Sequence, residues 1–301
     1  MALAYAYRGA AGLIEAVAPR LEAAGLALVD DVATAEVIVS FCTSQSELED
    51  CYFGDAGFIQ EVAPGALLVD LSATTPNFAR EINAVATVSD LAMVEAPLVV
   101  VDTTAADSFA RDNLSCFAAG EGDGVQRARG LLDALCGSVH EVGGPGAAQL
   151  ARAAYTLQTA AQVIATIEAQ ALYRAVRRSV AGTGLGIERV GAATPAAERV
   201  LRAVEEERFE GAYNVEMLMS ELSAAIMAAD DAELILPQAE AAMHLLELLA
   251  VIGGADKAPA ALSLVYGEES ECAKNGLDWT RAEEAYGAKS DDDEWDDDYD
   301  D

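Results

Sequence analysis

The sequence has 301 residues, 52% of them hydrophobic, and a formal net charge of −33 that results from 51 acidic and only 18 basic side chains. This length and composition suffice for about two domains with a sizeable core, which excludes wholesale disorder. The negative field repels phosphate backbones and anionic lipid headgroups, so we expect neither nucleic acid nor a membrane surface as a partner.

Residues 1–146 alternate short apolar runs with helix-like stretches. The runs are mostly apolar on both faces, as the strands of a sheet covered on both sides must be. The alternation predicts an α/β domain built on a parallel sheet. The predicted strands are Leu3–Tyr7, Leu26–Asp30, Glu36–Phe41, Ala66–Leu71, Met93–Ala96 and Leu114–Ala118, and the predicted helices are Ala10–Ala24, Ser46–Gln60, Thr75–Thr87 and Gly124–Leu135.

The second and third predicted strands are unusually close in sequence. Only residues 31–35 separate them, whereas a parallel crossover needs a dozen or more residues. We therefore expect that they are not neighbouring parallel strands, and that one of them lies outside the sheet or runs antiparallel. The sheet is predicted to be shortened at this side.

From residue 147 the pattern is helical, and residues 147–266 are predicted to form an all-α domain that begins with a long interdomain helix. The run Gly182–Gly186 looks like a phosphate-binding loop, but it follows a helix rather than a strand, so we interpret it as a helix C-cap and turn. Residues 267–301 are predicted to be an acidic, disordered tail. The predicted helices of the all-α domain are Ala147–Val180, Pro195–Glu207, Val215–Ala229, Leu234–Ile252 and Ala258–Tyr266.

Cysteine, histidine and serine patterns exclude several kinds of site. None of the five cysteines pairs at C-x-x-C spacing and their number is odd, so we expect buried, reduced thiols. Two histidines are too few for an ordinary zinc site, and no metal is predicted. There is no G-x-S-x-G elbow for a hydrolase nucleophile. Since no membrane span or basic leader pattern occurs, we expect a cytoplasmic protein.

A damaged dinucleotide-binding fingerprint follows the first predicted strand. In the pattern G-x-G-x-x-G, Gly9 and Gly12 hold the second and third positions, but Tyr7 occupies the first. The N–H groups at the start of the next helix can still face a phosphate. A tight strand-to-helix turn explains the same residues, so both interpretations stay open.

Further segments in chain order point to one known family. Residues 35–44 (AEVIVSFCTS) look like a third strand and a loop over a cofactor, and residues 64–72 (PGALLVDLS) end a strand in D-x-S with Pro76 following. Residues 113–120 are similar to the last strands of a Rossmann domain, and residues 143–149 (GGPGAAQ) to a glycine-rich turn before a long helix. Together they resemble the β-hydroxyacid dehydrogenases, of the 3-hydroxyisobutyrate and 6-phosphogluconate dehydrogenase kind.

This resemblance implies a Rossmann-like domain followed by a helical domain, and an NAD(P)-dependent oxidoreductase that transfers hydride to or from a small hydroxy acid, carbonyl or imine. It also implies a small-molecule substrate and a homodimer that pairs through the helical domain. The cofactor, NAD or NADP, would be bound by Gly9, Gly12, Cys42, Thr43, Ser44 and Ser72. The substrate would be bound by Ser72 and Ser220.

The residues that carry the chemistry in that family differ here. Its substrate loop D-A-P-x-S-G-G reads EAPLVVV at residues 95–101, so valines replace the glycines that hold a substrate carboxylate. Its catalytic lysine corresponds to Arg152, and its two asparagines correspond to Tyr155 and Thr156. Unlike a lysine, an arginine cannot approach a neutral pKa.

Two functions therefore remain. In the first, a reductase with altered chemistry, Tyr155 donates a proton and Arg152 holds an anionic or carbonyl group. In the second, the chain is a non-catalytic homologue that serves as a dimeric binding or scaffold protein. For the two side chains themselves, the alternative is that Arg152 forms an interdomain salt bridge and Tyr155 only packs.

Overall fold

The computed structural model of the chain describes residues 3–180 and 192–287. It confirms the predicted fold class: an eight-stranded Rossmann-like sheet forms the N-terminal part, and a helical part follows. The strands are β1 (Leu3–Gly9), β2 (Leu26–Leu28), β3 (Val37–Phe41), β4 (Leu67–Asp70), β5 (Ala92–Glu95), β6 (Leu98–Val100), β7 (Leu114–Gly120) and β8 (Ser138–Gly143). The α-helices are α1 (Ala11–Ala23), α2 (Gln45–Phe53), α3 (Phe58–Glu61), α4 (Pro76–Val88), α5 (Gly124–Leu135), α6 (Ala147–Ser179), α7 (Pro195–Glu205), α8 (Val215–Asp230), α9 (Pro237–Leu249), α10 (Glu269–Lys274) and α11 (Thr280–Tyr286).

Both faces of the sheet are buried, as the apolar strands require. Along β3, Val37 and Val39 belong to one apolar cluster and Ile38 belongs to the other. Successive side chains of a strand point to opposite faces, so these clusters lie on the two sides of the sheet. The first cluster continues into the helical part through the buried residues of α6, α8 and α9.

Strands β2 and β3 both pair in parallel with β1, one on each of its sides. The expectation that one of them lies outside the sheet or runs antiparallel is therefore wrong. The register explains how so short a connection suffices: the last residue of β2, Leu28, and the first residue of β3, Val37, both lie opposite Tyr5. Because β3 begins at the level where β2 ends, the chain only has to cross β1 and does not have to return along it.

The sheet is mixed, so the prediction of a purely parallel sheet is wrong at one side. Strand β7 runs antiparallel to β5 and β6, and β8 pairs with β7 in parallel. Glu95 lies opposite Ala119 and Leu98 opposite Cys116 in one continuous register, so β5 and β6 are one strand interrupted at Ala96-Pro97. An antiparallel neighbour needs no crossover helix, which is why the loop of residues 101–113 can connect β6 to β7.

Two further predictions of helix and tail boundaries are corrected. The single helix predicted over Ser46–Gln60 is divided into α2 and α3, because the backbone leaves the helix at Gly54, which is extended with a ψ of 171°. A Cβ at this position would lie 2.6 Å from the Asp50 carbonyl oxygen, so the turn requires glycine. The predicted disordered tail begins too early, since Cys272 and Leu277, in and just after α10, are buried. The acidic segment Ser290–Asp301 and the run Gly182–Gly186 lie outside the described residues.

In the described ranges, 3–180 and 192–287, no single helix is long and apolar enough to cross a membrane. One pair, Pro237–Gly254 with Pro259–Tyr266, meets the length and composition requirement together, but its two parts are bent by 86°.

Candidate active site between the sheet and the helical part

The turn from β1 to α1 leaves backbone N–H groups open to a ligand. Gly9 has a φ of +128°, and a Cβ there would lie 2.0 Å from the Phe41 carbonyl oxygen, which accepts the Ala10 N–H at 2.9 Å. No side chain caps the first turn of α1, and a Cβ at the exposed Gly12 would meet nothing within 4 Å. The first N–H groups of a helix lack intrahelical partners, so this turn can receive a pyrophosphate.

Tyr7 is part of the same turn. It is half-buried, and its hydroxyl donates a hydrogen bond of 2.6 Å to the carbonyl oxygen of Ala10. Burial raises the pKa of this phenol above its ordinary value. The ring that replaces the first glycine of the fingerprint therefore holds the turn through a neutral hydroxyl.

The loop after β3 is fixed by hydrogen bonds at the start of α2. Ser44 caps the helix, since its Oγ accepts the Glu47 N–H at 3.2 Å, and Glu47 Oε2 accepts the Thr43 N–H at 3.0 Å. This pair is a variant of the capping box, because Glu47 accepts the N–H of the residue before the N-cap and not that of Ser44 itself. It holds Thr43 at the rim of the cleft and leaves Ser44 exposed.

Ser72 lies beneath the cleft and is fully buried. Its hydroxyl donates to Asp70 Oδ1 at 2.6 Å and accepts the N–H of Cys42 at 2.8 Å. Burial raises the pKa of the enclosed Asp70 carboxyl to about 6. Ser72 thus joins the ends of β3 and β4 in this conformation, and its predicted contact with substrate and cofactor stays a prediction.

The first turn of α6 is held against the sheet by two buried side chains. The Gln149 amide accepts the Thr74 N–H at 3.0 Å and donates to the Ser72 carbonyl oxygen at 3.0 Å. Glu95 Oε1 accepts the Ala148 N–H at 3.1 Å, while its Oε2 has no partner among the described residues. Burial raises the pKa of the Glu95 carboxyl to about 7.

Arg152 connects three elements and is only 3% exposed. Its Nε donates to the Leu98 carbonyl oxygen of β6 at 2.6 Å, and its other nitrogens contact Thr156 and form an ion pair with Glu221 of α8. Glu221 also accepts a hydrogen bond of 2.7 Å from the Tyr213 hydroxyl. The guanidinium is thereby engaged on several sides, and Thr156 acts as its hydrogen-bond partner.

Tyr155 contacts the sheet beside this network, although it still acts electrostatically on Arg152. Its ring packs against Phe117 of β7 with 6.5 Å between the ring centroids, and Phe117 in turn lies 5.9 Å from the ring of His140. Arg152 and Tyr155 share a helix at i and i+3, but the structure directs them to different neighbours. This arrangement favours the packing interpretation of Tyr155, and its role as a proton donor stays a prediction.

A small pocket marks where the carboxyl ends of the strands meet α8. Its volume of about 20 Å³ holds about one water molecule. The pocket brings together three residues predicted for the site, Cys42, Thr43 and Ser220, and one that the sequence did not single out as functional, Glu221. The remaining lining residues are apolar: Phe41, Leu71, Ala73, Leu98 and Met217.

No group of three or more His, Cys, Asp or Glu side chains in residues 3–180 and 192–287 could hold a metal ion. A sheet whose strands β1 to β5 are parallel, with an uncapped helix N-terminus after its first strand and a cleft outside the carboxyl ends of its strands, has the architecture of dinucleotide-binding domains. The comparisons name the particular type: residues 10–144 match the NAD binding domain of 6-phosphogluconate dehydrogenase. The predicted resemblance is thus confirmed, and so is the predicted cofactor, NAD or NADP.

Sequence relatives agree with this family. The chain is 32% identical over 164 residues to the NAD-dependent L-serine dehydrogenase of Pseudomonas aeruginosa. This aligned region covers 53% of the chain and 54% of the relative. It is 29% identical over 138 residues to the 3-hydroxyisobutyrate dehydrogenase of the same organism. This aligned region covers 46% of the chain and 45% of the relative. The matches thus span about half the length of these curated relatives.

Solved structures extend the likeness in fold to most of the chain. The 3-hydroxyisobutyrate dehydrogenase of Salmonella typhimurium aligns with 87% of this chain and 99% of its own at a TM-score of 0.66 and 17% identity. The enzyme of the same name from Mycobacterium tuberculosis, solved with L-serine, aligns with 89% of this chain and 100% of its own. Its TM-score is 0.67 and its sequence identity is 18%. At these identities the likeness shows a shared two-domain fold.

Proposed function

We propose that this chain is an NAD(P)-dependent oxidoreductase that transfers hydride between the nicotinamide and a small carbonyl or imine in the cleft between the sheet and α8. The observation that carries the proposal is the pocket in which the cofactor-side residues Cys42 and Thr43 meet Ser220 and Glu221 of α8. The matched NAD binding domain supplies one wall of this cleft and the helical part supplies the other.

The residues around the β1–α1 turn fit the pyrophosphate end of the cofactor. Gly12 and the uncapped N–H groups of α1 would receive the phosphates, and Thr43 and Ser44 would lie along the rest of the dinucleotide. The bound cofactor would supply the hydride. Because the pocket holds about one water, the cleft between Thr43 and Ser220 has to open before a ring can enter.

The segment 95–101 argues against a carboxylate substrate. In place of a glycine loop it contains β6, whose residue Leu98 donates its N–H to the Leu71 carbonyl oxygen at 3.0 Å, while Val101 donates to Asn113 at 2.9 Å. These amides are not free to hold an anion. The Glu221 carboxylate on the opposite wall also disfavours an anion, so we favour a neutral carbonyl or an imine over a hydroxy acid.

Arg152 acts on the site through Glu221 in this proposal. The guanidinium cannot serve as an acid or base at neutral pH, but its ion pair and the Tyr213 hydroxyl fix the Glu221 carboxylate at the pocket. Glu221 is then placed to hold a protonated imine or to accept a hydrogen bond from the substrate. Tyr155 remains the predicted alternative donor if the cleft rearranges around Phe117.

We further propose a homodimer that forms through the helical part. Leu172 and Val176 on α6 are 67% and 42% exposed, and Leu234 and Ile235 before α9 are 56% and 75% exposed. Large exposed apolar side chains of this kind are typical of interfaces. Light scattering should give twice the chain mass of 31.3 kDa, and a monomer at micromolar concentration would contradict the proposal.

Titration of NADH and NADPH, followed by cofactor fluorescence, tests the cofactor site. Gly12→Ala leaves the fold room for its Cβ but places a methyl group where the pyrophosphate approaches, so we expect affinity to fall by about tenfold or more. Gly130→Ala is the matched control, because Gly130 lies on α5 and its Cβ also meets nothing within 4 Å. Equal cofactor affinity of both variants would show that the pyrophosphate does not bind at this turn.

Turnover of carbonyl and imine panels with NADH or NADPH tests the chemistry. Glu221→Gln should lower the rate on imines more than on carbonyls, while Tyr155→Phe should cut the rate by about a hundredfold only if Tyr155 is the donor. Cofactor binding without turnover across the panels would favour the non-catalytic homologue. Absence of cofactor binding would refute the proposed function.

A further inference from the structure

Two thiols lie side by side at the edge of the pocket. Cys42 follows β3 and Cys51 belongs to α2, and their Sγ atoms are 3.5 Å apart, with the Cys42 S–H donating to Cys51. Each residue is only 5% exposed, but Cys42 lines the pocket. Since an S–S bond is about 2.0 Å long, the sulfurs need to approach each other by only about 1.5 Å to bond.

A second thiol pair provides an internal comparison. Cys116 of β7 and Cys136 at the end of α5 also interact with each other, and the interaction raises the pKa of the Cys136 thiol. Their exposures are 0% and 1%, and they belong to the apolar cluster behind the sheet. The two pairs therefore differ in access, because the pocket with room for about one water molecule is lined by Cys42 and by neither Cys116 nor Cys136.

We propose that Cys42 and Cys51 form an oxidisable dithiol, which hydrogen peroxide entering from the cleft converts to a disulfide. Peroxide is little larger than the water that the pocket holds. Reactivity of a thiol follows its access and its thiolate character. The pair satisfies these conditions jointly: Cys42 lines the pocket and provides the access, and the sulfur of Cys51, which has the thiolate character, lies 3.5 Å from the sulfur of Cys42.

The Cys51 thiol is the nucleophile of the pair, because Cys42 donates its S–H to the Cys51 sulfur at 3.5 Å and so stabilises a thiolate there. The hydrogen bond from Cys42 lowers the pKa of the Cys51 thiol, and the Arg8 guanidinium acts in the same direction. The Cys51 thiolate attacks one peroxide oxygen, the O–O bond breaks, and hydroxide leaves and is protonated to water. Cys51 is then a sulfenic acid.

Cys42 resolves this intermediate. Its sulfur attacks the sulfenic sulfur of Cys51, an S–S bond forms, the S–O bond breaks, and the oxygen leaves as a second water with the Cys42 proton. The two sulfurs lose two electrons in total and the peroxide gains them. In balance, two thiols and one peroxide give one disulfide and two waters.

The disulfide would pull on the loop that borders the cofactor site. Cys42 donates its N–H to Ser72 Oγ at 2.8 Å, and the next residue, Thr43, is held by Glu47 at the start of α2. Drawing Cys42 toward α2 displaces this loop. If the proposed function holds, on which this step rests, oxidation should weaken NADH binding, and we expect a loss of about tenfold.

Peptide mapping after peroxide treatment tests the dithiol itself. The reduced full-length protein is treated with hydrogen peroxide, quenched, unfolded, alkylated and cleaved after glutamate. Cleavage after Glu47 and Glu49 places the two cysteines on different peptides, so only a disulfide keeps residues 37–47 and 50–61 together. We expect this linked species to form at least about tenfold faster than any Cys116–Cys136 link. Equal rates for the two pairs, or alkylation of both Cys42 and Cys51 after treatment, would overturn the proposal.

Single substitutions separate the two sulfurs. Cys42→Ser should leave a sulfenic acid on Cys51 that dimedone traps, and Cys51→Ser should abolish both the link and the trapping. Cys136→Ser is the matched control and should form the Cys42–Cys51 link at the original rate. Dimedone trapping on Cys42 in Cys51→Ser at the same rate would contradict the assignment of the nucleophile.

NADH titration of the reduced and oxidised forms tests the loop separately. Loss of affinity that dithiothreitol restores supports the coupling, and equal affinity in both forms would refute it. If neither form binds NADH, the proposed function and the coupling both fail, while the mapping still decides whether the dithiol exists.

Discussion

Glu95 should make the protein less stable as the pH rises, and its replacement by glutamine should remove this loss. The carboxyl is 3% exposed, and burial raises its pKa from 4.5 to about 7. A carboxyl with a raised pKa in the folded state stabilises the fold while it is protonated, and this contribution is lost as the pH rises through the folded-state pKa. A shift of about 2.5 pH units corresponds to about 3 kcal/mol, lost mostly between about pH 4.5 and pH 7.

Urea unfolding of the protein and of Glu95→Gln at pH 5.5, 7 and 8.5, followed by circular dichroism, measures this difference. Glutamine retains an oxygen for the Ala148 N–H, so the free energy of unfolding of the variant should fall less between pH 5.5 and pH 8.5 than that of the original protein. The loss that remains belongs to Asp70, whose pKa burial also raises. Glu81→Gln, an exposed carboxyl of α4, is the control and should keep the original pH dependence. Parallel pH profiles for Glu95→Gln and the original protein would refute the reasoning.

Three further predictions follow from the same structure. Arg152→Met should destabilise the protein by about 3 kcal/mol in urea unfolding, because it leaves the Glu221 carboxylate without its ion pair, and a loss below about 1 kcal/mol would show that the pair is solvated. Gly9→Ala should cost more than about 2 kcal/mol, because its Cβ meets the Phe41 carbonyl at a φ of +128°, whereas Gly12→Ala should change stability by less than about 1 kcal/mol. With a net charge of −33, the melting temperature should rise by about 5 °C or more between 0.1 and 1 M NaCl as the Debye length falls from about 10 to 3 Å; an unchanged value would mean that self-repulsion is weak in the folded state.

The sequence predicts the sheet where its strands carry an unambiguous apolar pattern, and it fails where a decision depends on pairing. Leu26–Leu28 and Val37–Phe41 are both recognised as strand segments, but their placement on opposite sides of β1 follows from the stagger at Tyr5. Register is a property of two strands together, and a spacing rule for neighbouring strands does not apply to strands that flank a third. The strand β8 is missed because most of its residues are exposed.

For the candidate site, the sequence predicts which residues lie near one another better than it predicts the side-chain contacts they make. Cys42, Thr43 and Ser220 meet at one pocket, as the resemblance implies. One alternative for Arg152 is predicted as an interdomain salt bridge. Arg152 does form an ion pair, but its partner Glu221 lies on α8, in the same helical part as α6. The partner could not be predicted, because it is far from Arg152 in sequence and its approach depends on how α8 packs against α6.

The hold of Gln149 and Glu95 on the first turn of α6 fixes where the two parts of the molecule can hinge. Three hydrogen bonds tie this turn to Thr74, Ser72 and Glu95, so the start of α6 moves with the sheet. In the proposed function, a ligand that enters between Thr43 and Ser220 would require α8 to move outward. The hinge for that movement would then lie beyond the first turn of α6. Opening would have to break the hydrogen bond from Arg152 to the Leu98 carbonyl oxygen.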